Sequence, residues 1–239
     1  MVNWMTGSPN HLPPSPYTAR LQALYATYGA VPFADYWLQG DQSGICRVDG
    51  VFTLSAGENF DPEEMRHFLD FAGGTALCCE ERVCRSMGYT PEKSSFIVEY
   101  RGGEAPFFGE EAADLKAVHR LLSECGFAMG DYRSFLEDIG LRLRRGTADT
   151  AVCLENGCLL GTASALFIGQ NSVLLGAVAT EPEARGRGIA SRLVKGLAAR
   201  YASRGKRVFL FCRSDDLAAF YEKCDFVCVG RWSETALPG

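Results

Sequence analysis

The sequence lacks the features that would take it to a membrane or to nucleic acid. No stretch approaches the roughly 18 uninterrupted apolar residues that a membrane-spanning helix needs. Residues 1–16 are polar and rich in proline and have no apolar core, so they lack the pattern of a signal peptide. The 239 residues carry a net charge of −5, and their lysines and arginines are scattered. We therefore expect a soluble, cytoplasmic protein with no membrane or nucleic-acid partner.

The sequence also lacks a pattern of metal ligands, although it has ten cysteines. None of these cysteines forms a C-x-x-C pair, and the three histidines lie far apart in the sequence. This spacing predicts neither a zinc site nor a disulfide framework. Most of the cysteines stand among valine, leucine and phenylalanine, which is typical of small buried apolar residues in a reducing compartment.

What the sequence does contain is a strand, a loop and a helix between residues 173 and 201. The apolar run 173–179 predicts a buried strand. Beyond the loop, apolar side chains recur every fourth residue, at Ile189, Leu193, Leu197 and Tyr201. This period predicts an amphipathic helix that lays one apolar face on a core.

The loop between them has the chemistry of an anion site. Gly186 and Gly188 allow a tight turn that leaves several backbone N–H groups uncovered where the helix begins. Arg185 and Arg187 add full charges at the positive end of the helix dipole. A phosphate or pyrophosphate suits these groups. The alternatives are a basic loop before a surface helix, or part of an RNA-binding Arg-Gly tract, and the flanking strand and helix argue against both.

The loop also resembles a family signature. Residues 185–190, Arg-Gly-Arg-Gly-Ile-Ala, match the pattern R/Q-x-x-G-x-G/A of the GCN5-related N-acetyltransferases (GNAT), and residues 180–184 are similar to the usual lead-in. The resemblance implies acetyl-CoA as the acyl donor, with its pyrophosphate on the loop amides and its pantetheine arm along the preceding strand. The residues that it assigns to the donor are Val178, Ala179, Thr180, Arg185, Gly186, Arg187, Gly188, Ile189, Ala190 and Ser191.

A second match lies at Tyr221, in a segment similar to the family's Y-E-K-x-G-F ending. The resemblance implies that this tyrosine acts as the general acid toward the departing thiolate, a role that a protonated phenol can fill. The alternative is a core aromatic residue, since Leu217, Phe220 and Cys224 continue the same apolar stripe.

Two positions depart from the family's pattern. Ser214 stands where the family often has an asparagine that contacts the CoA arm, and Ser214 would serve equally well as the N-cap of a helix. Asp225 replaces the family's glycine, which is tolerable because aspartate enters the left-handed backbone region more easily than most residues.

The acceptor is expected to be an amine of a small molecule or a peptide, attacked directly because no cysteine is placed by motif to form an acyl-enzyme. Glu181, Glu155, His119 and a water held by backbone carbonyls all remain open as the base. The alternative function is a non-catalytic acyl-CoA-binding or regulatory module. A donor longer than acetyl and a homodimer are also compatible with the sequence.

The predicted order of elements after residue 107 is two helices, a three-strand meander, helix, strand, helix and strand. The first two strands of the meander are predicted to form a hairpin that turns at Asn156-Gly157. This order predicts an α+β protein with a mixed sheet, and it resembles the GNAT fold. We predict a catalytic domain over residues 107–239, preceded by the glycine- and proline-rich linker 101–109. The helix after the linker is predicted over 110–125.

The first half, residues 1–103 with a mobile N-terminal tail over 1–16, is predicted to be a degenerate copy of the second. Residues 87–89 (Met-Gly-Tyr) align with 224–226 (Cys-Asp-Phe), which places Cys84 opposite Tyr221. The loop 56–61 carries acid where an Arg-Gly loop would be needed, so one active site per chain is expected. The alternative is an unrelated α+β domain. A single strand is predicted over residues 45–55.

Overall fold

The computed structural model describes residues 1–112 and 114–237, so residue 113 and the last two residues of the predicted second domain lie outside the described part. The described residues form one twelve-stranded sheet flanked by helices. The strands are β1 (Val2–Trp4), β2 (Ala34–Gln39), β3 (Ser43–Val48), β4 (Val51–Ser55), β5 (Ala76–Glu80), β6 (Lys93–Tyr100), β7 (Glu110–Glu111), β8 (Asp149–Glu155), β9 (Cys158–Ile168), β10 (Ser172–Thr180), β11 (Arg207–Cys212) and β12 (Phe226–Ala236). The helices are α1 (Pro16–Tyr28), α2 (Pro62–Ala72), α3 (Glu81–Ser86), α4 (Leu115–Glu124), α5 (Tyr132–Arg144), α6 (Ile189–Ala202) and α7 (Asp215–Glu222), with short 3-10 turns at Pro9–His11 and Pro182–Ala184.

The strand order reveals two halves that exchange their last strands. The order is β1-β2-β3-β4-β5-β12-β6-β11-β10-β9-β8-β7. The first half's last strand, β6, pairs with β11, and the second half's last strand, β12, pairs with β5. Only β4 with β5 and β10 with β11 are parallel, and these are equivalent positions in the two halves. The sheet is therefore continuous through the exchanged pair.

The halves also match in backbone detail. The alignment that matches residue 87 with residue 224 also makes Ser95 and Trp232 equivalent, and these two residues lie opposite each other in the pair of β6 and β12. Between the preceding helix and each of these strands lies a residue with positive φ, Gly88 at 81° after α3 and Asp225 at 66° after α7. Both residues fall where the sequence alignment of the halves predicts, which supports the duplication.

Helix α1 is buried on nearly every side, because it packs on strands of both halves. It contacts β3 and β4 of the first half and β9, β10 and β11 of the second. A helix covered all round must satisfy its polar groups inside the protein. Thr18 bonds Ser55 at 2.8 Å, and Thr27 bonds Thr147 at 2.6 Å. Helix α1, which belongs to the first half, thus covers one face of the second half's strands.

The apolar cores lie on both faces of the sheet. Helices α6 and α7 cover one face of the second half, where Leu193 and Leu197 pack on β9, β10 and β11. Helix α4 covers the opposite face through Val118 and Leu121. Helices α2 and α3 form the equivalent core of the first half. Among the described residues, no helix combines the length and apolar character that a bilayer crossing requires.

The structure differs from the prediction at three elements: the N-terminal tail, the strand predicted over 45–55 and the helix predicted over 110–125. The N-terminal tail is ordered: β1 pairs with β2, and Leu12 is buried against α1. The predicted strand 45–55 is a hairpin, because Asp49-Gly50 forms a turn with φ of 49° and 79°. The predicted helix 110–125 begins only at Leu115, with Asp114 as its N-cap, and the short strand β7 precedes it. By contrast, the hairpin predicted at Asn156-Gly157 is confirmed, with φ of 51° and 78°.

Candidate active site

Strands β10 and β11 separate partway along their length. Their parallel pairing runs from Ser172 to Leu175 of β10 and then stops. Beyond it, β10 shifts register against β9 between Gly176 and Ala179, and Ala177 takes a φ of 50°. Among the described strands, none pairs with the free edge of residues 176–180. The result is an opening, here called the cleft, between residues 176–180 of β10 and 211–212 of β11.

The loop that follows β10 presents unpaired backbone donors. Gly186 and Gly188 have φ of 78° and 72°, which only glycine adopts without strain. The first intrahelical bond of α6 runs from the Arg192 amide to the Gly188 carbonyl at 3.1 Å. Within the described chain, no group accepts a hydrogen bond from the amides of residues 186–191. Consecutive free amides at the positive end of a helix suit a phosphate or pyrophosphate.

The two arginines of the predicted signature are held differently. Arg185 donates from Nε to the Thr180 carbonyl at 3.4 Å, and its Nη2 lies 3.9 Å from the Cys125 Sγ. Arg187 forms an ion pair with Glu155 at 2.5 Å. This guanidinium lowers the pKa of the Glu155 carboxyl below its ordinary value. Glu155 is therefore an ion-pair partner of the loop.

The other residues predicted to contact acetyl-CoA line the same region. Val178 packs toward the core beneath α6, whereas Ala179 is buried against α4 on the other face. The Thr180 hydroxyl is buried and has no hydrogen-bond partner among the described residues. Ser191 donates to the Gly188 carbonyl at 3.0 Å. Ile189, the first residue of α6, is buried, and its neighbour Ala190 is half-buried.

Tyr221 lies in the core cluster that contains Cys212, the last residue of β11. Its ring packs edge-on against Phe220 and Phe226, with centroids 5.1 and 5.8 Å away. No described residue bonds its hydroxyl. Burial, followed by the nearby Cys212 and Cys224, raises the pKa of Tyr221 above the ordinary phenol value. The phenol is therefore a protonated donor at neutral pH.

The two positions that depart from the family's pattern have clear local roles. The Ser214 Oγ accepts from the Leu217 amide at 3.3 Å, so Ser214 is the N-cap of α7. Asp225 adopts the left-handed conformation, and its carboxylate pairs with Lys195 of α6 at 2.7 Å. Aspartate thus replaces glycine here and adds a tie between α6 and the start of β12.

The remaining candidates for a base lie apart from one another. His119 packs against Tyr132 and Phe135, and its Nε2 is 3.2 Å from the Gly130 carbonyl oxygen, at the junction of α4 and α5. Glu181 lines a surface pocket of about 440 Å³ that also includes Arg187. The structure therefore does not bring His119, Glu155 and Glu181 together around Tyr221.

The equivalent loop of the first half is closed. Asp61 accepts from the amides of Glu63 and Glu64, both at 3.0 Å, and so occupies the donors at the start of α2. Glu64 pairs in turn with the N-terminal amino group at 2.8 Å. Cys84, the counterpart of Tyr221, is fully buried. Acid stands where a phosphate would bind, as the sequence predicts.

The linker has a structural role that its composition does not indicate. Residues 105–109 pack across α6 at Gly196. The available signal was Gly196 itself, because an isolated glycine inside a helical pattern often marks a close approach of another chain segment. Among the described residues, no group of three or more His, Cys, Asp or Glu side chains could hold a metal ion.

Comparison with known families agrees with this geometry. Residues 115–226 match the model of the family described as "Acetyltransferase (GNAT) family". Residues 115–226 are therefore identified as a GNAT acetyltransferase domain, and the acyl donor of that family is acetyl-CoA. None of the curated proteins matches the sequence.

Solved structures extend the likeness to both halves. A GNAT-family acetyltransferase from Colwellia psychrerythraea has a TM-score of 0.59 at 14% identity, over 90% of each chain. A tandem GNAT protein from the clavulanic acid biosynthesis pathway has a TM-score of 0.56 at 16% identity, over 95% of this chain and 90% of its own. A GCN5-related N-acetyltransferase from Sphaerobacter thermophilus has a TM-score of 0.56 at 17% identity, over 92% and 85%. The predicted α+β GNAT fold is confirmed.

Proposed function

We propose that the protein is an N-acetyltransferase that moves the acetyl group of acetyl-CoA to a primary amine of a small molecule or peptide. The observation that carries this proposal is the cleft between β10 and β11, with the free amides of residues 186–191 at the end of one strand and Tyr221 beside the other. The first half would be a degenerate GNAT-like domain over 1–103, and residues 107–239 would be the catalytic domain. We place the protein in the cytoplasm.

The loop amides would hold the pyrophosphate of the donor, with Arg185 and Arg187 adding positive charge. The free edge of β10 at Val178, Ala179 and Thr180 would hydrogen-bond the pantetheine arm. The buried, unpartnered Thr180 hydroxyl fits this assignment, because a buried polar group ordinarily has a partner. Ser191 at the start of α6 and Ser214 at the start of α7 would also contact the acetyl-CoA.

The donor supplies a thioester carbonyl. In the proposed step the amine nitrogen forms a bond to the carbonyl carbon, and the carbon–sulfur bond breaks. Tyr221 gives its proton to the departing thiolate, and the amine loses one proton to solvent or to a base, which restores the proton of Tyr221. The products are an N-acetyl amide and CoA as the free thiol. A phenol whose pKa is raised by burial keeps its proton for this role.

The surroundings of the cysteines support direct attack by the amine. Cys212, at the cleft, is buried, and its thiol lies 3.7 Å from the Phe96 carbonyl oxygen. Burial raises the pKa of this thiol to about 11, which keeps it out of the nucleophilic thiolate form. An acyl-enzyme at Cys212 is therefore disfavoured.

The test is CoA release from acetyl-CoA with a panel of small amines and peptides, read with a thiol reagent. We expect at least one class of amine to accelerate release and to gain the mass of one acetyl group. If CoA binds tightly but no amine in the panel is acetylated, the non-catalytic binding module becomes the better description. Faster turnover with a longer acyl-CoA would instead correct the donor.

A further inference from the structure

The linker crosses α6 so closely that only a glycine fits beneath it. A Cβ built on Gly196 would lie 2.9 Å from the Phe108 amide nitrogen, 3.0 Å from the Pro106 carbonyl oxygen and 3.2 Å from the Phe107 Cα. All three are backbone atoms, which cannot move aside as the end of a side chain can. We call residues 105–109 the strap.

The strap is fastened along the first three turns of α6. The Arg192 guanidinium lies 4.0 Å from the centre of the Phe108 ring, and the Arg200 guanidinium lies 5.0 Å from the centre of the Phe107 ring. Ala105 and Phe108 pack against the core beneath α6. A Cβ on Gly109 would lie 2.8 Å from Leu193. The strap therefore covers the helix whose first turn supplies the free amides.

Arg192 is held in an unusual electrostatic position. It lies in the first turn of α6, where the helix dipole disfavours a positive side chain. Within the described residues no carboxylate lies within ion-pair distance of it, whereas Arg187 pairs with Glu155 and Arg200 pairs with both Glu111 and Asp149. Its Nε is 3.4 Å from the Gly188 carbonyl oxygen, which keeps the guanidinium beside the glycine loop. The Phe108 ring offsets part of the unfavourable interaction between this guanidinium and the helix dipole, through a cation–π contact.

We propose that the strap is part of the donor site: Phe108 and Gly196 are positioning residues that hold α6 and the Arg192 guanidinium ready for the phosphates of CoA. This inference rests on the proposed function. It also couples the halves, because the strap begins just after β6, the strand that the first half contributes to the sheet beside β11.

The test compares CoA with pantetheine, which lacks the phosphates, by isothermal titration calorimetry. Gly196→Ala should weaken CoA binding about tenfold, because a displaced strap misplaces the first turn of α6. Pantetheine binding should change less than about twofold, since the strand edge that holds it is untouched. Arg192→Gln and Phe108→Leu should show the same selective loss for CoA.

A control variant comes from the same chain. Gly140 is also buried in a helix, but a Cβ there would meet only the flexible end of Arg144 at 3.4 Å, so Gly140→Ala should leave CoA binding unchanged and raise the thermal midpoint.

The outcomes separate the two proposals. If the unmodified protein binds no CoA, the proposed function fails and the strap inference fails with it. If the unmodified protein binds CoA and the strap variants bind it equally well, only the strap inference is overturned. Equal weakening of CoA and pantetheine would also overturn it, because that result indicates general damage to the domain.

Discussion

At the scale of single residues, the site depends on groups whose chemistry is set by their surroundings. Tyr221 belongs to the apolar core, and the same burial that makes it a core residue keeps its phenol protonated. The two interpretations of this tyrosine in the sequence are therefore compatible. Likewise, Ser214 caps α7, and a contact with the donor would be an additional role for it.

Tyr221→Phe should lower kcat about a hundredfold, because it removes a general acid while keeping the ring in the core. KM for acetyl-CoA should change little, and the unfolding midpoint should stay close to that of the unmodified protein. The raised pKa of Tyr221 further predicts that kcat does not fall near pH 10, where an ordinary phenol ionises. An unchanged kcat in the variant would remove the proposed acid role.

Ala177 stores backbone strain at the mouth of the cleft. It holds a φ of 50°, which costs an L-residue other than glycine about 1 kcal/mol. Ala177→Gly should therefore stabilise the protein by up to about 1 kcal/mol in urea unfolding. The matched control is Ala179→Gly, two residues along the same strand, which should destabilise by about 1 kcal/mol because that alanine is buried in an extended strand. Equal effects of the two substitutions would argue against strain at Ala177.

At the scale of elements, ion pairs join the exchanged strands β6 and β12 to elements of the other half. Glu81 at the start of α3 accepts from Ser94 of β6 and pairs with Arg231 of β12 at 2.8 Å. Glu99 of β6, 2% exposed, pairs with Arg207 of β11 at 2.7 Å. These contacts fasten the exchanged strands to their neighbours.

The Glu81 cluster predicts a loss of stability in acid. Hydrogen bonds from Ser94, Arg231 and Arg85 lower the pKa of Glu81 from 4.5 to about 2. A depressed pKa stabilises the fold above about 4.5, and this contribution disappears as pH falls toward 2. Glu81→Gln should therefore lose less stability than the unmodified protein between pH 5 and pH 3 in urea unfolding. Glu58→Gln, in an exposed loop, is the control and should follow the unmodified protein.

At the scale of the whole molecule, the exchanged strands make the two halves depend on each other. Strand β6 lies between β12 and β11, both from the second half. Cutting the chain between residues 103 and 104 leaves the second half without β6, and β11 and β12 then have exposed edges in the middle of the sheet. Exposed edges of this kind promote aggregation.

Fragments 1–103 and 104–239 should therefore fail to fold when made separately, and they should form a soluble one-to-one complex that binds CoA when made together. Circular dichroism and size-exclusion chromatography would report folding and assembly, and calorimetry would report CoA binding. A second fragment that folds alone as a monomer and binds CoA like the intact chain would show that the halves are independent.

Much of the site could be predicted because its signals are local. The glycines of the loop, the apolar period of α6 and the Asn156-Gly157 turn each depend on a few neighbouring residues, and all three appear as predicted. The errors at 45–55 and 110–125 also have local causes, because Asp49-Gly50 is a hairpin signal and Asp114 is an N-cap residue that starts a helix.

The sequence by itself determined that a loop rich in glycine and arginine lies between a strand and a helix, and that the first half carries acid at the equivalent place. Only the tertiary structure decided that β6 and β12 change places, that α1 packs on both halves, and that the strap covers α6 at Gly196. Backbone hydrogen bonds between strands are much the same whichever strand is the partner, so local sequence cannot choose between pairing within a half and exchange. That choice depends on packing across the whole sheet.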